Sequence, residues 1–122
     1  MSEIADKVYD ILNEMFPAMP HKRVFRELYV NYKGQKLYFD FYIKEMKLYV
    51  EVQGQQHKRF VKHFHGDRAS FLNQKHRDNL KIQYVQENEG LCLIRFYYNE
   101  KITKDLVYNK IQKVLEGECF YE

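Results

Sequence analysis

Two carboxylates near the middle of the chain carry the most chemical information: Asp40 in the run LYFDFY and Glu51 in the run LYVEVQ. Apolar and polar residues alternate in both runs, which reads as two β-strands separated only by a short turn at Lys44 to Met46. If the strands pair antiparallel about that turn, Asp40 and Glu51 become cross-strand neighbours at one end of a sheet. Alternation is expected to place Tyr38, Asp40 and Tyr42 on one face of the first strand, and Tyr49, Glu51 and Gln53 on one face of the second. Leu37, Phe39, Phe41, Leu48, Val50 and Val52 then supply an apolar face. Two carboxylates brought that close repel unless a cation sits between them. Their simplest use is to hold a hard divalent ion such as Mg²⁺ or Mn²⁺, which takes one or two protein carboxylates together with water and phosphate. Acids on a strand's outer face are ordinarily just solvated, but here tyrosines flank both of them.

The elements that must position these acids follow from the surrounding pattern. Ser2 can cap a first helix whose apolar positions Ile4, Val8, Ile11, Leu12 and Met15 keep helical spacing, and Pro17 and Pro20 end it. Val24 to Tyr32 reads as a strand burying Phe25, Leu28 and Val30, with a bulge breaking its register. Lys33-Gly34 makes a hairpin turn into the strand Lys36 to Tyr42. The next strand, Lys47 to Gln53, stops at Gly54, and a polar loop runs to about Gly66. A helix is expected from about Ala69 to Asn88. It carries Phe71, Leu72, Leu80, Ile82 and Val85, and its polar face displays Lys75, Asp78 and Lys81. Gly90 closes that helix. The run LCLIRFY, Leu91 to Tyr97, suits a buried strand. Thr103 can cap a last helix with Leu106, Val107, Ile111, Val114 and Leu115. The order is α-β-β-β-α-β-α in a single α/β domain spanning residues 1–122.

Composition sets limits on partners and compartment. No stretch is long and apolar enough for a membrane span, and the N-terminus lacks a signal-peptide pattern, so an intracellular, cytoplasmic protein is expected rather than a secreted one. The two cysteines, Cys92 and Cys119, form no metal motif and are expected to be reduced. Net charge is only +3, but it is unevenly spread. Between His57 and Lys81 seven basic residues (Lys58, Arg59, Lys62, Arg68, Lys75, Arg77, Lys81) stand against Asp67 and Asp78. Both ends of the chain are acidic. A charge run is usually a solvated surface, yet the interleaved Phe60, His63, Phe64 and His65 favour a polyanion, with nucleic acid the natural candidate. His57, His63 and His65 lack a fourth ligand at zinc spacing, so a zinc site is not expected.

Specific words then sharpen the reading. Asp40-Phe41-Tyr42, the run from Leu48 to His57 (LYVEVQGQQH), Arg77-Asp78, and LIRF at Leu93 to Phe96 followed by Asn99-Glu100 resemble the PD-(D/E)XK, restriction-endonuclease-like nuclease superfamily. Within it they resemble the branch of very-short-patch-repair endonucleases and related homing nuclease domains. The resemblance covers about Ser2 to Glu100. It implies an αβββαβα core with a mixed central sheet flanked by helices, and Mg²⁺-dependent hydrolysis of DNA phosphodiester bonds. It makes Asp40 and Glu51 metal ligands, adds the backbone carbonyl of Val52 as a third, and gives Glu3 an outer-sphere role on the first helix. A first-turn acid is equally well explained by the helix dipole.

The chain departs from that pattern at Gln53, where the superfamily carries a lysine. Glutamine carries no charge and moves no proton, so another residue must supply that function or the chain cleaves poorly. His57, in the GQQH loop, is the first substitute because it titrates near neutral pH. Lys75, Asp78 and Lys81 come next, since the following helix can present them. The expected nucleic-acid contacts are Lys58, Arg59, Lys62, Arg68, Lys75 and Arg77. The sequence shows no appended recognition module, so a homodimer, a partner protein or DNA shape would supply targeting, as in a nickase or a junction-cleaving enzyme. The competing expectation is a non-catalytic nucleic-acid-binding module on the same fold.

Overall fold

The computed structural model describes residues 3–53 and 68–118. Helix α1 spans Glu3–Met15, strand β1 Val24–Tyr32, strand β2 Gln35–Ile43 and strand β3 Leu48–Gln53. Helix α2 spans Arg68–Glu87, strand β4 Cys92–Tyr97 and helix α3 Lys104–Leu115. The expected order is therefore realised. The sheet runs β1-β2-β3-β4. β1 and β2 pair antiparallel, as do β2 and β3, whereas β3 and β4 are parallel. The long connection through α2 makes that parallel pairing possible. The result is a mixed α/β arrangement with helices against a four-stranded sheet.

Local chemistry explains the turns. Lys33 and Gly34 both have positive φ, 50° and 78°, the conformation a tight two-residue hairpin needs. A single 3₁₀ turn, Lys44–Met46, joins β2 to β3, and Lys47 leaves it in the left-handed region at φ 50°. Thr103 caps α3, its hydroxyl accepting a hydrogen bond from the Leu106 amide at 3.1 Å. Ser2, the expected cap of α1, lies outside the described residues.

Two apolar clusters fill the space on either side of the sheet. One gathers Val8, Ile11 and Leu12 of α1 and Val107, Ile111 and Val114 of α3 over Phe41, Ile43, Leu48, Val50, Ile94 and Phe96. The other gathers Leu80 and Val85 of α2 over Leu37, Phe39, Tyr49 and Leu93. Each fully buried side chain of this size contributes roughly 1.5–3 kcal/mol, so both layers bind the helices firmly to the sheet.

These clusters correct the expected strand faces. Leu37, Phe39, Phe41, Leu48, Val50 and Val52 do not share one apolar face. Phe39 packs on the α2 side, its ring 4.3 Å from that of Tyr49, while Phe41 stacks at 5.5 Å on Tyr9 of α1. The alternation of β2 thus reverses across Asp40. Tyr42 joins Phe39 on the α2 side, 4.6 Å from Tyr49, and Tyr38 stands exposed. The cause lies on the neighbouring strand. Glu27, opposite Asp40 in the β1–β2 register, has φ 53° and drops out of the ladder. A left-handed residue turns the strand over, and β2 turns with it. The expected bulge is therefore absent: pairing runs from Val24↔Ile43 to Tyr32↔Gln35 with no inserted residue.

Helix α2 departs in a related way. Leu80 and Val85 are buried as expected, but Leu72 is exposed. The polar residues Asp78 and Lys81 face the sheet instead of solvent, Asp78 being buried and Lys81 nearly so. The helix packs a mixed polar and apolar face because the sheet beneath it carries Glu51, Gln53 and Arg95, all buried.

Candidate active site

The reversal at Asp40 opens a cleft. The β2–β3 ladder contains Phe41↔Val50, Tyr42↔Tyr49 and Ile43↔Leu48 and goes no further. One step on, where Asp40 would meet Glu51, the strands part. The Asp40 carboxylate takes over the missing backbone acceptor, its Oδ2 receiving the Val52 amide hydrogen at 2.8 Å. An open cavity of about 440 Å³ results, lined by Glu27, Tyr38, Phe39, Asp40, Glu51, Val52 and Lys81.

Glu51 sits at its floor, 4% exposed, with Arg95 beside it in the parallel β3–β4 register. Lys81 reaches down from α2 and places Nζ 3.0 Å from Glu51 Oε1. The same ammonium lies 5.3 Å from the centroid of the Phe39 ring, which holds it over the acid. Burial pushes the Glu51 carboxyl up to about 7. Lys81 pulls it back down, Asp40 pushes it further up, and Arg95 again lowers it. Desolvation outweighs the two cations, so this carboxylate is short of positive charge.

That shortage bears on the metal question. Asp40, Glu51 and Val52 all line the cavity, and two carboxylates with a backbone carbonyl make an all-oxygen set suited to a hard divalent ion. The chemistry of this donor set fits such an ion. Among the described residues no group of three or more His, Cys, Asp or Glu side chains could hold a metal by itself. Any such ion would therefore rest on two acids and the main chain.

The remaining expected site residues divide clearly. Gln53 ends β3, buried, with its Nε2 lacking a hydrogen-bond partner among the described residues. Asp78 is buried against β4, and its carbonyl accepts a 3.4 Å hydrogen bond from Arg95. Arg77 and Arg68 are exposed on α2, and Lys75 is half-buried with its ammonium over Phe71. Glu3 is exposed in the first turn of α1 and is not among the residues lining the cleft. His57, Lys58, Arg59 and Lys62 lie outside the described residues.

Two participants escaped the sequence reading. Arg95 gave a signal, a lone charge inside the apolar run LCLIRFY, and such a charge in a buried strand needs an acidic or carbonyl partner. Glu27 gave none, because its place in the cleft depends on the backbone reversal. Glu100, within the quoted motif, serves architecture: its Oε1 accepts 2.8 Å hydrogen bonds from the Tyr97 amide and from Lys110 Nζ, closing the end of β4.

Among the described residues no helix is long and apolar enough to cross a membrane. No protein-family model and no solved structure matches the chain. It is similar to two viral proteins. Uncharacterized protein 307L of Invertebrate iridescent virus 6 is 38% identical over 76 residues, covering 62% of this chain and 38% of the relative. Uncharacterized protein 033L of Invertebrate iridescent virus 3 is 36% identical over 70 residues, covering 57% of this chain and 36% of the relative. The chain thus spans less than two-fifths of the length of these relatives.

Proposed function

We propose that the cleft is the active site of a metal-dependent DNA endonuclease with the restriction-endonuclease-like αβββαβα fold. The observation that carries this reading is the convergence of Asp40, Glu51 and Lys81 where β2 and β3 part. Two acids to hold a divalent ion and a cation to meet a phosphate are a set that suits metal-assisted phosphodiester hydrolysis.

A bound Mg²⁺ would supply Lewis-acid stabilisation of the phosphate charge and activation of water. The chain's own residues do the rest. Asp40 is fixed by the Val52 amide, so its position is set by the fold and not by the ligand. Glu51 is fixed by burial and by Lys81. With Asp40, Glu51 and the Val52 carbonyl holding such an ion, Lys81 would be free to meet the substrate phosphate from the α2 side. Lys81 thereby supplies the cation that Gln53 cannot. His57 remains the proposed acid–base group, and the basic residues after β3 guide the backbone of the DNA.

One observation favours a second reading. The Lys81 ammonium already occupies one side of Glu51, and a chain that keeps this pair closed would bind nucleic acid without cutting it. Conversion of supercoiled plasmid, with Mg²⁺ or Mn²⁺ and with EDTA, separates the two. The expected result is metal-dependent nicking by the wild type and none by Asp40→Asn, with DNA affinity kept or increased because an acid leaves a phosphate-binding cleft. Full nicking by Asp40→Asn would show that the metal site has been misplaced. Binding without nicking in either metal would establish the non-catalytic module.

A further inference from the structure

Beyond the reversal at Glu27 and Asp40, β1 and β2 continue as a hairpin arm toward Lys33-Gly34. This arm carries an unusual pair of side chains. Tyr29 and Tyr38 are cross-strand partners, 51% and 58% exposed, with ring centroids 5.7 Å apart and planes inclined at 46°. Lys36, on the same arm, holds its ammonium 5.0 Å from the centroid of the Tyr29 ring. β1 is an edge of the sheet.

Tyr38 also lines the cleft that contains Asp40, Glu51 and Lys81. It precedes Asp40 by two positions, roughly 7 Å along an extended strand, a distance within the reach of a single nucleotide. The platform is therefore continuous with the place where a phosphate would sit. Its chemistry matches a nucleotide as well. Tyrosine offers a flat face to any base, and Lys36 brings positive charge to the same patch for the adjoining phosphate.

We propose that Tyr29 and Tyr38 form a stacking platform for unpaired nucleotides, so that the chain prefers single-stranded or branched DNA over intact duplex. The inference rests on the nuclease reading for the position of the phosphate. A paired base has both faces occupied within the helix and gains nothing from the two rings. An unpaired base beside the cleft gains a stacking surface without sequence preference.

The test uses fluorescence anisotropy of the full chain in EDTA, with a labelled oligothymidylate and a labelled blunt duplex of equal length. The main variant is the double substitution Tyr29→Ile with Tyr38→Ile, which keeps strand-forming side chains on the hairpin while removing both aromatic faces. It should weaken oligothymidylate binding by roughly 5- to 150-fold, the range for one stacked base, and leave duplex binding within about two-fold. The double phenylalanine variant should retain wild-type affinity, and circular dichroism should show both variants folded. Unchanged oligothymidylate binding, or an equal loss on duplex, would overturn the proposal. So would a change in sedimentation coefficient, which would make the patch a contact between copies of this chain. These measurements need no metal and no cleavage. Failure of the nuclease reading appears in the plasmid assay, and failure of the platform appears in the oligonucleotide assay.

Discussion

Glu51 concentrates the electrostatics of the cleft. Its carboxyl titrates at about 7 in the folded chain against 4.5 for an unperturbed glutamate, with burial the principal cause. A raised folded-state value means that the folded chain binds the proton more tightly than the unfolded one. The stability this group contributes is complete below pH 4.5 and is lost as pH rises through 7. The difference in unfolding free energy between wild type and Glu51→Gln should therefore fall by up to about 3 kcal/mol between pH 4.5 and 8. Urea denaturation of both proteins at stepped pH checks this, and a difference that is flat or rises over that range would contradict it. Mg²⁺ should protect the wild type more at pH 8 than at pH 5, because it competes with the proton for the same oxygens. Lys81 and His57 are separated by single-turnover nicking at pH 8. His57→Ala should slow the chemical step by roughly 10²–10⁴-fold with little change in metal affinity, the signature of acid–base loss. Lys81→Gln should also slow it, while tightening Mg²⁺ binding by removing the cation that competes for Glu51. An unchanged rate in His57→Ala would remove histidine from the mechanism and leave Lys81 as the acting group.

At the scale of the elements, the reversal in the β1–β2 arm decides what the site becomes. A non-glycine residue in the left-handed region costs roughly 1 kcal/mol, and Glu27 sits there at φ 53° while exposed to solvent. Asparagine tolerates that region better, and β-branched residues tolerate it worse. Glu27→Asn should therefore stabilise the chain by several tenths of a kcal/mol, and Glu27→Val should destabilise it by more than about 1 kcal/mol. Urea unfolding is the measurement, and a stable Glu27→Val variant would mean that the kink is not rigid. This region also shows where sequence pattern stops being informative. Strand and helix positions were legible because apolar spacing records them directly, as at β4 and α3; β1 falls where expected, but Val24 is its buried residue, and Phe25, Leu28 and Val30 are only half-buried because β1 is an edge strand. The short turn between their strands made it legible that Asp40 and Glu51 come to the same end of the β2–β3 pair, but not that the ladder stops one step short of them. The exchange of faces between Phe39 and Phe41 was not legible, since strict alternation assumes that every residue stays in the β region, and one left-handed residue on the neighbouring strand is enough to break it. Lys81 was visible only as one of several helix cations. Which of them turns inward depends on the buried acid beneath α2, a tertiary fact.

At the scale of the whole molecule, the sheet divides the labour. α1 and α3 cover one face with an apolar layer, whereas α2 covers the other with Lys81 and Asp78 among its buried side chains. β3 ends at Gln53, two residues after Glu51, and α2 begins at Arg68 and carries Lys81. In sequence, Lys58, Arg59 and Lys62 fall between these two elements, and Arg68 is the first residue of α2. On the proposed reading this run of positive charge tracks the DNA backbone. Replacing Lys58 and Arg59 together with alanine should weaken binding to unrelated DNA sequences about equally, because phosphate contacts carry no sequence information. For every lysine–phosphate or arginine–phosphate pair removed, the slope of log K against log salt should become shallower by about 1. Anisotropy titrations across a salt series, made in EDTA so that no strand is cut, provide the measurement. If affinity and slope both stay at wild-type values, the run is a solvated surface. The charge distribution then no longer argues for a nucleic-acid partner, and the convergence of Asp40, Glu51 and Lys81 carries the proposal alone.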